Sequence, residues 1–101
     1  MSHWVYILYS EKSDTYYKGQ TDDLTKRIKR HNSGWEKATQ NGTPWRIVWK
    51  TEKRDRSSAV KLEMKLKNLT RERLEKFIMK YSEPVAGPDV PDGFRVRKSG
   101  R

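Results

Sequence analysis

The feature that most constrains the fold is an unbroken apolar and aromatic run near the start of the chain. Its six residues are Trp4, Val5, Tyr6, Ile7, Leu8 and Tyr9. A strand without a polar side has no face to turn toward water, so a run of this kind is typical of a strand buried on both faces. The run therefore predicts a central strand, and this strand opens the fold.

The next two segments predict a hairpin partner and a first helix. Residues 10–14 are polar and predict a turn, and residues 15–19 have the aromatic and β-branched composition of a second, returning strand. Thr21 or Asp22 can cap a helix that follows, and Gly34 is suited to ending it.

The remaining segments predict a loop, a third strand and two more helices. Residues 33–44 hold two glycines and a proline and predict a long polar loop, a kind that is often functional. Residues 45–51 alternate, with Trp45, Ile47 and Trp49 on one face, and predict a strand. Helical spacing over 57–68 and 70–81 predicts two helices, and Thr70 is the expected N-cap of the last. The order is β-β-α-β-α-α, an α/β chain of the α+β type.

Length, charge and cysteine content limit the function classes. The 101 residues carry 23 Lys and Arg against 13 Asp and Glu, a net charge of +10, which favours a nucleic acid as partner. Cysteine is absent, which excludes disulfides and thiol catalysis, and two histidines nearly exclude a multi-histidine metal site. We expect a cytoplasmic protein that does not enter membranes, because no run of about 18 apolar residues occurs. Residues 1–82 are the expected domain, and 83–101 a basic, proline-containing, flexible tail.

Polar residues interrupt the apolar stripes of two predicted helices. Arg27 and His31 share the first helix stripe with Leu24 and Ile28, and Glu63 interrupts that of the second. A charge turned toward a core costs several kcal/mol, on the order of 3–5 kcal/mol when its partner is missing. Either these side chains pair, Arg27 with Glu63 or Glu63 with Lys67, or they perform chemistry.

Two tyrosines leave the same choice between structure and chemistry. Tyr6 and Tyr17 fit core aromatics, and His31 alone fits a cation at a helix end. Taken together, however, a tyrosine, Arg27 and Glu63 supply what phosphodiester cleavage needs: a proton acceptor, a cation on the phosphate and a carboxylate for a divalent metal.

The order and spacing of these residues resemble the GIY-YIG nuclease superfamily. The resemblance rests on five segments between residues 4 and 81: Val5-Tyr6-Ile7, Tyr17-Lys18-Gly19, Leu24-Thr25-Lys26-Arg27-Ile28, His31-Asn32 and Leu62-Glu63-Met64. It is closest to the small stand-alone bacterial branch, which is similar to the eukaryotic structure-selective nuclease subunit and to the N-terminal domain of the excision-repair subunit UvrC. Trp4-Val5-Tyr6 lacks the glycine of the first triplet, and Lys18 replaces the isoleucine of the second.

The resemblance implies a three-stranded antiparallel sheet flanked by helices and a metal-dependent DNA endonuclease of repair or recombination. It maps the catalytic residues onto Tyr6, Tyr17, Arg27, His31 and Glu63, with Glu63 as the metal ligand for Mg²⁺ or Mn²⁺. Tyr6 is the preferred general base, although Tyr17 stays open.

Basic and aromatic residues predict where DNA, branched, nicked or single-stranded, would bind. The candidates are Lys18, Lys26, Lys29, Arg30, Trp35 and Lys37. Trp35 either stacks on a base or anchors its loop on the domain. Two other readings stay open: a nucleic-acid-binding module that keeps the fold without catalysis, and a role with a protein partner.

Overall fold

Three antiparallel strands form one sheet in the computed structural model, which describes residues 2–82. The strands are β1 (His3–Ser10), β2 (Thr15–Thr21) and β3 (Trp45–Lys53), in the order β2-β1-β3. The helices are α1 (Leu24–Asn32), α2 (Arg56–Lys67) and α3 (Arg71–Tyr81), with a short 3-10 turn at Gln40–Gly42. The predicted fold class and element order are confirmed.

The described residues fall into two compact units. The first ends at Asn68 and holds the sheet, α1 and α2, and the second begins at Leu69 and holds α3. The predicted tail, residues 83–101, lies outside the described residues. Over residues 2–82, every helix is too short or too polar to cross a membrane.

The apolar run is the central strand, as predicted. Val5, Tyr6, Ile7 and Leu8 alternate between the two faces of the sheet, and all four are fully buried. Tyr6 and Leu8 form a buried cluster with Trp45. Tyr17 of β2 and the apolar stripe of α1 pack against this cluster, so α1 lies on the Tyr6 face of β1.

The third strand departs from the predicted alternation. Ile47 pairs with Leu8, but Trp49 pairs with Ile7, because a register shift occurs between Ile7 and Leu8. Directly paired residues of an antiparallel sheet share a face. Trp49 therefore lies on the face opposite Trp45 and Ile47, and the prediction of one shared face was wrong at this irregularity.

Side-chain caps fix where the helices begin. The N-cap of α1 is Asp23, whose Oδ1 accepts from the Lys26 amide at 3.0 Å, so the predicted caps Thr21 and Asp22 were wrong. Thr21 Oγ1 instead accepts from the Asp23 amide at 3.1 Å, one step earlier in the turn. Thr70 caps α3 as predicted. Gly34, at φ +84°, directly follows the C-cap of α1.

Candidate active site

A buried chain of hydrogen bonds joins β1, α1 and the polar loop. Tyr6 Oη lies 3.0 Å from His31 Nε2, and His31 Nδ1 lies 3.0 Å from Thr39 Oγ1. Tyr6 and His31 are fully buried, and Thr39 is 2% exposed. The central strand and the first helix bring Tyr6 and His31 together although they are 25 residues apart.

We assign the ring proton of His31 to Nδ1. In this tautomer Nδ1 donates to Thr39 Oγ1 at 3.0 Å, and the Thr39 hydroxyl donates to the Glu36 carbonyl at 3.4 Å. Nε2 then presents its lone pair to the Tyr6 hydroxyl, which donates to it.

Burial supports the same protonation states. It raises the pKa of Tyr6 well above its usual value of 10.0, and the charge of Tyr17 adds to the rise. It also lowers the pKa of His31 below 6.5, with the neighbouring Arg27 and Arg30 lowering it further and Glu36 opposing them. A histidine that is buried and neutral is not a helix-end cation, so that alternative was wrong.

Arg27 and Glu63 act on the same tyrosine hydroxyl from two helices. Arg27 lowers the pKa of Tyr6 through its charge and a side-chain hydrogen bond, whereas Glu63 raises it. Their effects are smaller than that of burial. The structure thus places Tyr6 and His31 in hydrogen-bond contact, and the charges of Arg27 and Glu63 lie near enough to influence the pKa of Tyr6.

Glu63 also forms the ion pair with Lys67, four residues along α2, that the sequence analysis offered as one alternative. Lys67 Nζ lies 3.4 Å from Glu63 Oε2, one turn along α2, and the Glu63 side chain is 15% exposed. The carboxylate is therefore mostly buried, with a small part reachable from solvent. The pair contributes little stability, because Lys67 is half exposed and water screens its charge.

A single sheltered carboxylate fits a divalent metal that is shared with substrate. Residues 2–82 contain no group of three or more His, Cys, Asp and Glu side chains that could hold a metal. Mg²⁺ keeps several waters and is commonly bound by one or two carboxylates together with substrate phosphates. Glu63 could serve as that one carboxylate, with water and substrate phosphate supplying the other ligands.

Tyr17 completes the site by ring packing. Its ring centroid lies 4.8 Å from that of His31 and 6.4 Å from that of Tyr6, both in tilted or edge-on geometry. Tyr17 is half-buried, so it contacts the buried pair and still reaches the surface. Tyr17 therefore covers the Tyr6–His31 pair on the side of β2.

Gly19 lies against Tyr6. A Cβ at this position would be 2.6 Å from Tyr6 Oη and 2.7 Å from Tyr6 Cζ, closer than real side chains approach. Gly19 is paired with Tyr6 across β1 and β2, so the tyrosine ring occupies the space a side chain would fill. The glycine of the second triplet is required by this close approach.

Two further residues of the site region were missed by the sequence analysis. Asn32 bonds both backbone groups of Trp45: its Nδ2 donates to the carbonyl at 3.1 Å, and its Oδ1 accepts from the amide at 2.5 Å. The Trp45 indole donates to the Thr39 carbonyl at 2.8 Å. Asn32 and Trp45 thus hold the loop in the position where Thr39 reaches His31. The loop has no periodic pattern from which these contacts could be predicted.

A groove of about 630 Å³ runs along α1 beside this site. Its walls are Thr21, Asp22, Asp23, Lys26, Arg27, Lys29, Arg30, Ser33 and Trp35. Four of the six residues predicted to contact DNA therefore line one surface, and Arg27 is shared with the tyrosine site. We call this surface the α1 groove.

The other two predicted contacts lie elsewhere. Lys18 pairs with Ile7, so it occupies the face of the sheet opposite Tyr6. Lys37 is exposed in the loop and is outside the groove wall. Trp35 is 81% exposed, so it does not anchor its loop on the domain.

Comparisons with known proteins agree with this arrangement. A family model described as the GIY-YIG catalytic domain matches residues 2–81. A UPF0213 protein of Halalkalibacterium halodurans is 35% identical over 79 residues, which cover 77% of this chain and 83% of that protein. A UPF0213 protein of Yersinia enterocolitica is 34% identical over 79 residues, covering 77% of this chain and 81% of that protein.

A solved structure is similar in fold as well. The solution NMR structure of a UPF0213 protein from Bacillus halodurans aligns with a TM-score of 0.55 at 32% identity, covering 88% of this chain and 90% of that one. The family model spans all the segments that build the tyrosine site. The chain therefore belongs to the GIY-YIG family, carries its nuclease-type domain, and is related to the small stand-alone bacterial UPF0213 proteins.

Proposed function

We propose that this protein is a metal-dependent endonuclease that hydrolyses DNA phosphodiester bonds. The observation that carries the proposal is the buried Tyr6–His31 hydrogen bond, with Arg27 and Glu63 acting on the same hydroxyl. A buried tyrosine that has a histidine partner, and whose pKa a guanidinium and a carboxylate both influence, fits proton transfer better than packing alone. The site residues are Tyr6, Tyr17, Arg27, His31 and Glu63.

Proton transfer in this site runs through Tyr6. Because its raised pKa keeps the hydroxyl protonated, Tyr6 accepts a proton from the attacking water only as it passes its own to His31 Nε2. His31 then becomes an imidazolium whose Nδ1–H is held by Thr39. In this mechanism Tyr6 relays the proton, and His31 stores it.

Two charged residues serve the phosphate. Arg27 neutralises charge that grows on the phosphorus centre, where a guanidinium can contact two oxygens at once. Glu63 would hold Mg²⁺ or Mn²⁺, which when bound supplies Lewis-acid stabilisation of the phosphate and the leaving oxygen. Hydrolysis breaks the bond between phosphorus and the 3′ oxygen, so one product strand ends in a 3′ hydroxyl and the other begins with a 5′ phosphate.

The partner and setting follow from charge. A net charge of +10 and the cations of the α1 groove suit DNA, and branched or nicked DNA in repair or recombination is the substrate we propose. A domain of this size has little surface for reading base sequence, so a protein partner would direct it. We place this activity in the cytoplasm.

One observation favours a second candidate, a nucleic-acid-binding module without catalysis. The ion pair between Lys67 and Glu63 partly neutralises the carboxylate that a metal would need. If that pair persisted on DNA, the fold would bind without cutting.

Cleavage assays separate the two candidates. Supercoiled plasmid and a labelled branched DNA are incubated with the purified protein, with Mg²⁺ or with chelator, and the product ends are analysed. Metal-dependent cuts with 5′ phosphates support the nuclease. Salt-sensitive binding without any cut, under conditions where a known nuclease cuts the same DNA, rejects it in favour of the binding module.

A further inference from the structure

We propose that the α1 groove is a subsite for an unpaired nucleotide of the strand that is cut, with its base stacked on Trp35. The proposal rests on the nuclease function proposed above and names its substrate class: DNA with single-stranded character next to the cleavage point. It depends on three independent features of the groove, which are its position, its charge and its exposed indole.

Position connects the groove to the chemistry. Arg27 is part of the groove wall and lies one helical turn before His31, whose Nε2 is 3.0 Å from Tyr6 Oη. A strand whose phosphate meets Arg27 can therefore continue into the groove. Because the groove runs from the N-cap of α1 at Asp23 to Ser33 beyond its end, it follows the helix for about 15 Å, long enough for more than one nucleotide.

Charge suits a phosphate backbone. The groove wall carries four cations against two carboxylates. Of the two carboxylates, Asp23 already accepts a hydrogen bond from the Lys26 amide through its Oδ1. Of the four cations, Arg30 is paired with Glu36, with 3.4 Å between Arg30 Nε and Glu36 Oε2. Lys26 and Lys29 are exposed along the same helix face, so they can follow the strand backbone.

Trp35 distinguishes an unpaired strand from a duplex. Its side chain is 81% exposed, the largest exposure among the exposed large hydrophobic residues of the described chain. Gly34, in the left-handed region at φ +84°, turns the chain between the end of α1 and this indole. An aromatic side chain beside cations is the usual platform for an unpaired base, whereas the bases of a duplex already stack on each other.

Binding measurements test the subsite without depending on cleavage. Fluorescence anisotropy of a labelled oligothymidine and of a matched duplex is measured in chelator for the intact protein, Trp35→Ala and Trp35→Phe. We expect Trp35→Ala to weaken oligothymidine binding about tenfold and duplex binding less than about twofold, with Trp35→Phe close to the intact protein. Because the indole is exposed, circular dichroism and thermal unfolding should be unchanged.

A lysine pair provides the matched control for charge. Lys29→Ala should weaken binding of both DNA forms and reduce the salt slope, whereas Lys61→Ala, an exposed lysine of α2 outside the groove wall, should not. Equal losses on single strand and duplex in Trp35→Ala, or no loss on either, would overturn the subsite. Selective loss in a protein that never cuts DNA would leave the subsite standing and reject the nuclease function.

Discussion

Thr39 favours the tautomer of His31 that carries its proton on Nδ1, so that Nε2 can accept from Tyr6. In this assignment the Thr39 hydroxyl donates to the Glu36 carbonyl, 3.4 Å away. A residue that touches neither DNA nor water in the proposed reaction thus sets the proton acceptor of Tyr6. This is the role of a positioning residue.

Thr39→Val should lower the turnover rate about tenfold or more without changing KM for DNA. Valine keeps the shape but removes the acceptor for Nδ1–H, which leaves a buried donor unpaired and lowers the pKa of His31 further. The acid limb of the pH–rate profile should therefore move to lower pH. Thr39→Ser, which keeps the hydroxyl oxygen, is the control. Its turnover rate and its pH–rate profile should match those of the intact protein. A uniform loss in both variants with an unmoved profile would contradict the positioning role.

His31 should make stability depend on pH below about 6.5. Its pKa is lowered in the folded chain, so the unfolded chain takes up more protons in this range. The free energy of unfolding should fall as pH drops below the usual value of 6.5 until the folded pKa is reached, by at most about 1.4 kcal/mol per pH unit.

Chemical denaturation at several pH values, compared with His31→Gln, measures this effect. Glutamine does not titrate, so its curve should be flatter between pH 6.5 and the folded pKa, whatever its overall stability. Parallel curves for the two proteins would show that His31 is not buried in its neutral form.

Residues on regular elements were the predictable part of the site. Arg27, His31 and Glu63 stood out because each interrupts an apolar helical stripe, and of the three the structure shows His31 in hydrogen-bond contact with Tyr6. Thr39 gave no such signal, because a loop has no period that marks an inward position. Its function became visible only when the hydrogen-bond geometry was known.

Among elements, α1 is the one that holds the site together. It packs Leu24 and Ile28 on the core, supplies Arg27 and His31, and ends in Asn32, which clamps Trp45. Its amphipathic stripe predicted the helix. The register shift opposite Ile7 and Leu8 could not be predicted, because an alternating pattern alone does not show where one strand gains a residue.

Asn32→Ala should destabilise the protein by about 1–3 kcal/mol. It removes both hydrogen bonds to the Trp45 backbone, and the amide and carbonyl of Trp45 are then left unpaired although they are partly buried. Ser33→Ala, which removes one exposed bond to the Arg30 carbonyl, is the neighbouring control and should cost much less. Equal small effects in thermal unfolding would show that the clamp does not stabilise the loop.

At the scale of the whole molecule, charge and fold point to one class of partner. The excess of 23 basic over 13 acidic residues could be counted in the sequence, but their arrangement could not. The structure puts Lys26, Lys29, Arg30 and Trp35 on one surface that shares Arg27 with the tyrosine site. Lys18 lies on the opposite face, since strand alternation turns it away from Tyr6.

The most direct test of the account is single-turnover DNA cleavage in Mg²⁺ by Glu63→Gln, with Glu52→Gln, an exposed acid of β3, as the matched control. DNA binding is measured in parallel. The account predicts that Glu63→Gln loses cleavage by at least about a hundredfold while its binding and the activity of Glu52→Gln stay within about threefold of the intact protein. Full cleavage by Glu63→Gln would contradict the assignment of Glu63 as the metal ligand and, with it, the proposed catalytic centre.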